Sequence, residues 1–292
     1  MRITVTTPTG HVGGAVARTL LDGGAEVVLP VRNPEKVRTL AARGAKVVQG
    51  SMEDGSFMAR ACVGADALFF VTPSNYKEED LRASQNRVGR AGAEAIRASG
   101  VPRVVNLSSL GAQHTSGIGP VLGLREVEGH LNDTSAEVLH LRPAFFMENF
   151  LLSLASIRES GSLFMPLEGA TRLAMIATKD VAREAAARLL DPKWRGHPVV
   201  ELLGPADPSL DEAAGAISEG LGRSVKFVTI PEDAAREALR GLGASRNAAD
   251  AMMELYQAIE GGRLVPEDPS RTRRTSTTLI AFAREVMKPL MA

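Results

Sequence analysis

Between Val5 and Gly24 the chain reads VTTPTGHVGGAVARTLLDGG: an apolar run, a turn holding Gly10, Gly13 and Gly14, then an amphipathic stretch that stops at a glycine pair. This segment confines the fold, because a strand that feeds a helix through a side-chain-free turn opens a parallel βαβ unit. The first half of the chain keeps the same rhythm. Aliphatic runs at 2–7, 25–31, 45–50, 65–71 and 103–109 read as strands buried on both faces, and helical spacing fills 11–24, 34–44, 56–64 and 78–100 between them. A helix over 125–134 then leads to a strand over 138–142. The alternation predicts an α/β fold built on a Rossmann-type doubly wound parallel sheet.

After about Asn149 the rhythm loosens. One more strand is expected within 197–205 and helices over 209–222, 232–243, 246–262 and 279–290, with 265–276 reading as a polar loop. The expected division is a nucleotide-binding domain over 1–149, with a returning segment near 176–203, and a smaller, mostly helical lobe from 150–175 and 204–292.

Charge excludes some partners. Lys plus Arg and Asp plus Glu number 34 each, so the net charge is zero, and neither a nucleic acid nor an anionic membrane is expected as a partner. Cys62 is the single cysteine, which rules out an intrachain disulfide, and with His130 and His140 standing apart no metal site is expected. No basic segment precedes an apolar one at the start, and no run has the length of a membrane span. The expectation is a soluble cytoplasmic protein, either a monomer or a homodimer.

Without side chains in the turn, backbone amides and the helix start can approach a pyrophosphate closely. Thr7 occupies the place of the first glycine of the usual dinucleotide fingerprint, and Pro8 removes one amide donor. At the end of the second strand, where an NAD site usually carries a carboxylate, stands Arg32, with Lys36 shortly after it. A guanidinium can grip a ribose 2′-phosphate that a carboxylate would repel, so NADP(H) is expected over NAD(H).

The pieces TPTGHVGGAVARTLL, VRNPEKVRTLAARGAKVVQGSMED, VVNLSS, EVEGHL, LRPAFFMENF and TKDVAREAAARLL, with the later LLGPADPSLDEAAGAISEGLGRSV, resemble the NmrA-like family of atypical short-chain dehydrogenases over nearly the whole chain. That resemblance implies NADPH-dependent reductases of quinones and dyes, and also NADP-sensing regulators without turnover. It implies phosphate contacts from Thr7, Gly10, His11, Val12 and Gly13, and places Arg32 and Lys36 on the 2′-phosphate. Gly50, Ser51 and Met52 would border the adenine, and Phe70, Val71, Thr72 and Pro73 the ribose. Leu107, Ser108 and Ser109, then Pro143, Ala144 and Phe146, would surround the nicotinamide.

The conventional members of that superfamily protonate substrate with a Tyr helped by a Lys four residues on. Here Tyr76 is followed at that distance by Asp80 and Tyr256 by Glu260, so counting excludes that pair. Two catalytic candidates remain: Ser108, as a donor to a substrate oxygen or a cap of the next turn, and Glu128, as an orienting carboxylate or one half of a surface pair with Arg125. Leu124 stands where many relatives carry Lys or His. His114 lies in a glycine-rich loop over 111–123 that reads as either a lid or a connector. For the substrate pocket the candidates are Ser109, His114, Phe146 and Met147, with Phe145 and Phe150 assigned to packing. Hydride transfer to a quinone or similar conjugated carbonyl fits, since solvent can protonate a phenolate-like product. Two alternatives stay open: an NADP(H) sensor that binds a protein partner, and a reductase of specialised metabolites.

Overall fold

A computed structural model of the chain describes residues 1–191 and 193–291. Its strands, in chain order, are β1 (Arg2–Val5), β2 (Glu26–Val31), β3 (Lys46–Gln49), β4 (Ala67–Val71), β5 (Arg103–Leu107), β6 (Glu137–Pro143), β7 (Phe145–Phe146), β8 (Ser162–Met165), β9 (Met175–Ile176), β10 (Val199–Leu203), β11 (Lys226–Thr229) and β12 (Thr272–Arg274). Eight of them form one sheet in the order β12-β10-β6-β5-β4-β1-β2-β3, with every pairing parallel. The predicted doubly wound sheet is therefore present. Chain order reverses between β1 and β4, where Ile3 pairs with Val27 on one side and Ala67 on the other. A crevice for a ligand opens at such a reversal, outside the carboxyl ends of the strands.

Helices cover both faces because the central strands are apolar on both. Ile3, Val5, Phe69 and Val105 are fully buried toward α1 (His11–Asp22), while Leu68, Phe70 and Val104 pack toward α3 (Gly55–Cys62), α4 (Leu81–Ser99) and α5 (Val121–Asn132). A second core gathers Met147, Phe150, Leu163, Leu210, Ile217 and Phe282 beneath α8 (Leu210–Leu221). Ser209 and Glu212 form a reciprocal capping box at the start of α8, satisfying two otherwise free amides.

Two expectations are corrected. The last polar loop is partly a strand: β12 adds to the sheet edge, with Thr272 opposite Glu201. The fully buried Glu201 carboxylate draws the segment in, accepting from the amides of Glu267 at 2.8 Å and Asp268 at 3.3 Å. The 111–123 loop is shorter than expected, since α5 starts at Val121. Its remainder is docked rather than free. Ala112 and Ile118 pack on Ala258 of α10 (Arg246–Glu260), and a Cβ on Gly119 would stand 2.1 Å from the Ala251 carbonyl oxygen. With φ at +52°, Gly119 is also in the left-handed region that favours glycine.

A polar thread runs behind the sheet. The two ring nitrogens of His140 lie 3.1 Å from the Asn106 side-chain amide nitrogen and 2.9 Å from Asn132 Oδ1, which the neutral imidazole satisfies by accepting at one and donating at the other. Burial pushes the His140 pKa down to about 4. A histidine neutral in the fold but free to protonate when unfolded lends stability above its unfolded pKa of about 6.5, lost as pH falls toward the folded value and worth roughly 3 kcal/mol. The melting temperature is therefore expected to drop between about pH 6.5 and 4.5, and to drop less in His140→Gln. Equal pH slopes for the two proteins would count against this role.

Candidate functional site

The turn after β1 is built around Thr7, which has a φ of +47°. Thr7 thus takes the left-handed conformation for which the usual fingerprint employs glycine, at a cost in strain. Its carbonyl accepts from the Gly10 amide at 3.0 Å, folding the chain back toward the start of α1. A Cβ on Gly13 would lie 2.4 Å from the Thr7 carbonyl oxygen, and one on Gly14 2.9 Å from that of Pro8. Only glycine lets α1 sit this close to the strand end. No side chain caps α1 and its first turn holds no acid, so its amides face outward toward any anion in the crevice.

A polar hollow lies beside the turn, lined by Thr9, Gly10, His11, Arg18, Lys36 and Thr39 among others. Arg18 was not legible as a site residue, being one more charge inside a helix. Its Nη1 is 3.5 Å from where a Gly14 Cβ would be, so the glycine leaves room for the guanidinium to fold back over the turn. Arg32 is exposed at the end of β2 and its side chain stays outside this lining. Arg18, Arg32 and Lys36 have no ion-pair partner among the described residues.

Across the crevice, Gly50 donates to the Val31 carbonyl at 2.9 Å and faces the Phe57 ring, with Ser51 and Met52 following at the end of β3. Val71, Thr72 and Pro73 leave β4 at the expected place, with the Val71 amide donating to Thr6 Oγ1 at 2.9 Å. The Thr72 hydroxyl is buried without a partner. Phe70 is a correction: its ring is fully buried against α4, so it packs the fold and does not face the crevice. Val12 and Leu107 likewise turn their side chains into the main core, leaving only their backbone for a ligand.

Beyond β5 and β6 opens a cleft that faces solvent. Ser108, Ser109, Pro143, Ala144 and Phe146 line it. The Ser108 amide donates to the Leu141 carbonyl at 2.8 Å, while its hydroxyl is buried without a partner. Ser109 donates its hydroxyl to the Leu110 carbonyl at 3.0 Å. Asn149, Leu173 and Leu255 also line the cleft, and spacing gave no sign of them because each comes from a separate segment.

Three further site candidates are corrected. Met147 is 2 % exposed and packs in the second core, whereas Phe145, assigned to packing, lines the cleft and meets Phe150 edge-on at 5.7 Å between ring centres. His114 lies outside the lining, its Nε2 3.0 Å from the Arg263 carbonyl, where it ties the loop to the segment after α10. Glu128 neither faces the cleft nor pairs with Arg125; it is buried and accepts two hydrogen bonds from Arg142, at 2.9 and 2.7 Å. Tyr256 is outside the lining as well, and burial, then the neighbouring Tyr76, pushes its pKa up to about 12. Among the described residues no group of side chains could hold a metal, and no helix is long and apolar enough to cross a membrane.

The residues present suit a phosphorylated dinucleotide. A glycine cradle that a Cβ would fill, unpaired cations beside it, and two buried hydroxyls lacking partners all lie just past the carboxyl ends of the parallel strands β1, β4 and β5. The sequence pattern of the NmrA-like family matches residues 1–275. The chain is 31% identical over 287 residues to an NAD(P)H azoreductase of Xenophilus azovorans, covering 94% of each protein. It is 29% identical over 272 residues to quinone oxidoreductase 2 of Escherichia coli strain K12, covering 92% of this chain and 91% of that one. Its fold superposes with a TM-score of 0.83 on the NADPH-dependent quinone oxidoreductase of Escherichia coli solved with NADPH, at 25% identity, covering 98% of this chain and all of the other.

Proposed function

We propose that this chain, which belongs to the NmrA-like family, is an NADPH-dependent oxidoreductase that passes hydride to a quinone or a similar conjugated carbonyl. NADPH, when bound, supplies the hydride. What supports the reading is that a cationic glycine cradle and an apolar cleft holding one unpartnered hydroxyl, that of Ser108, both lie at the carboxyl ends of the sheet's strands.

The chain's own part in the reaction follows from these residues. The amides at the start of α1 meet the pyrophosphate, with Gly13 and Gly14 permitting the approach. Lys36 and Arg18, with Arg32 at the rim, hold the 2′-phosphate by charge-assisted hydrogen bonds. Ser108, Pro143, Ala144 and Phe146 flank the nicotinamide end, and the rest of the cleft takes the acceptor. The Ser108 hydroxyl donates to the acceptor oxygen on which negative charge develops. Water then delivers the proton, so no Tyr–Lys pair is required.

Replacing both Arg18 and Lys36 with alanine is expected to raise the KM for NADPH about 100-fold, two lost charge-assisted bonds at roughly tenfold each, and to leave that for NADH unchanged. Steady-state kinetics with the two cofactors checks this. An equal change for both would contradict the assignment of the 2′-phosphate.

A further inference from the structure

The cleft carries information about the acceptor as well as the cofactor. Its walls include Leu110, Val121, Leu124 and Phe146 from the first half of the chain and Leu173 and Ile259 from later segments. Among the described residues its only polar side chains are Ser108, Ser109 and Asn149. No charged side chain lines it among the described residues.

The charges that flank these wall residues in the sequence are engaged elsewhere. Glu148, beside Asn149, accepts from the Thr178 amide at 3.0 Å and from its hydroxyl at 2.6 Å. Glu260, beside Ile259, accepts from the Glu168 amide at 3.0 Å. Arg263, beside Leu264, donates to the Ser116 carbonyl at 2.7 Å. Each contact holds a local charge to a partner on another segment.

Resting on the reductase reading above, we propose that the cleft selects uncharged conjugated acceptors and rejects their anionic counterparts. An anion entering such a cleft gives up hydration and finds no cation to replace it, whereas a neutral dione loses little and keeps two kinds of hydrogen-bond donor. Asn149 is exposed at the cleft, where its amide can meet an acceptor oxygen, and the buried Ser108 hydroxyl can meet another. The reaction balances without a charged side chain. Hydride from NADPH brings two electrons and one hydrogen to the quinone, a proton from water brings the second, and hydroquinone and NADP+ leave.

The test titrates the protein saturated with 1,4,5,6-tetrahydro-NADP, whose uncharged nicotinamide ring cannot deliver hydride, with 1,4-naphthoquinone and with its 2-sulfonate. The neutral quinone is expected to bind about 100-fold more tightly, the scale of leaving a buried charge unpaired. The sulfonate is the more electron-poor of the two, so intrinsic reactivity cannot imitate this preference in parallel turnover assays. Leu124→Lys, which puts a cation on the cleft wall, is expected to narrow the gap about tenfold by tightening sulfonate binding. Equal affinities, a preference for the sulfonate, or no binding of either overturns the proposal. Selective binding without NADPH oxidation leaves the selectivity standing and removes the reductase reading; equal turnover of both quinones does the reverse.

Discussion

Gly13→Val is expected to abolish NADPH binding, and Gly13→Ala to weaken it by about 100-fold or more. The cause is backbone against backbone. A Cβ at position 13 would stand 2.4 Å from the Thr7 carbonyl oxygen and 2.7 Å from that of Thr6, neither of which can rotate away like a side chain. Relief requires α1 to withdraw from the end of β1, and with it go the amides that meet the pyrophosphate. Gly10 provides the contrast: its nearest atom to a Cβ is the Thr7 oxygen at 3.4 Å, so Gly10→Ala is expected to bind far better than Gly13→Ala. Overpacking also costs stability, roughly 1–3 kcal/mol, so binding is measured by NADPH fluorescence on protein that still melts cooperatively. Wild-type affinity in Gly13→Ala would refute the cradle.

The second large effect is on stability and separates two roles for one residue. Glu128 and Arg142 side chains are each 8 % exposed, and they form a two-pronged pair that ties α5 to β6, with Glu267 3.6 Å from the guanidinium. Glu128→Ala leaves the arginine charge buried with its main partner gone, which costs about 3–5 kcal/mol and lowers the melting temperature by roughly ten degrees. The double variant Glu128→Leu with Arg142→Met is expected to recover most of that loss, since apolar residues of similar volume replace a buried pair at little cost. A carboxylate with a chemical role would behave otherwise: Glu128→Ala would lose kcat at an unchanged melting temperature, and the double variant would restore nothing. Thermal melts of the three proteins, with kcat measured below the transition, decide between them.

The parts of this molecule that were legible in its sequence are those whose signal is local. The units β1–α1–β2 and β4–α4–β5 declare themselves because each strand is a short, largely apolar run and each helix carries its own period. The same holds for the cradle, where glycines mark the places at which the backbone must come close. Signals that depend on distant partners were missed. The three residues of β12 form an exposed edge strand that pairs only because the buried Glu201 collects the amides before it, and TRR by itself reads as loop. Arg18 matters through the room left at Gly14.

At the cleft the difficulty is periodicity. β7 lasts two residues and passes directly into a tight helical turn at Met147, so neither a period of two nor one of 3.6 tells which of Phe145, Phe146 and Met147 faces inward. Phe145 and Met147 accordingly exchange their expected places. The polar thread left a trace that was readable: His140 and Arg142 alternate with Leu139 and Leu141 on β6, which puts both polar side chains on the face toward α5. That alternation distinguishes a buried Glu128–Arg142 pair from the surface pair with Arg125.

We propose that an NADPH-specific cradle and an apolar acceptor cleft act together at the carboxyl ends of the sheet. Oxidation of NADPH and of NADH by the purified protein, each with 1,4-naphthoquinone as acceptor, tests it most directly. One hydroquinone is expected per NADPH consumed, with kcat/KM for NADH lower by about 100-fold. A protein that binds NADPH yet consumes none of it with this acceptor, or that uses both cofactors equally, would contradict it.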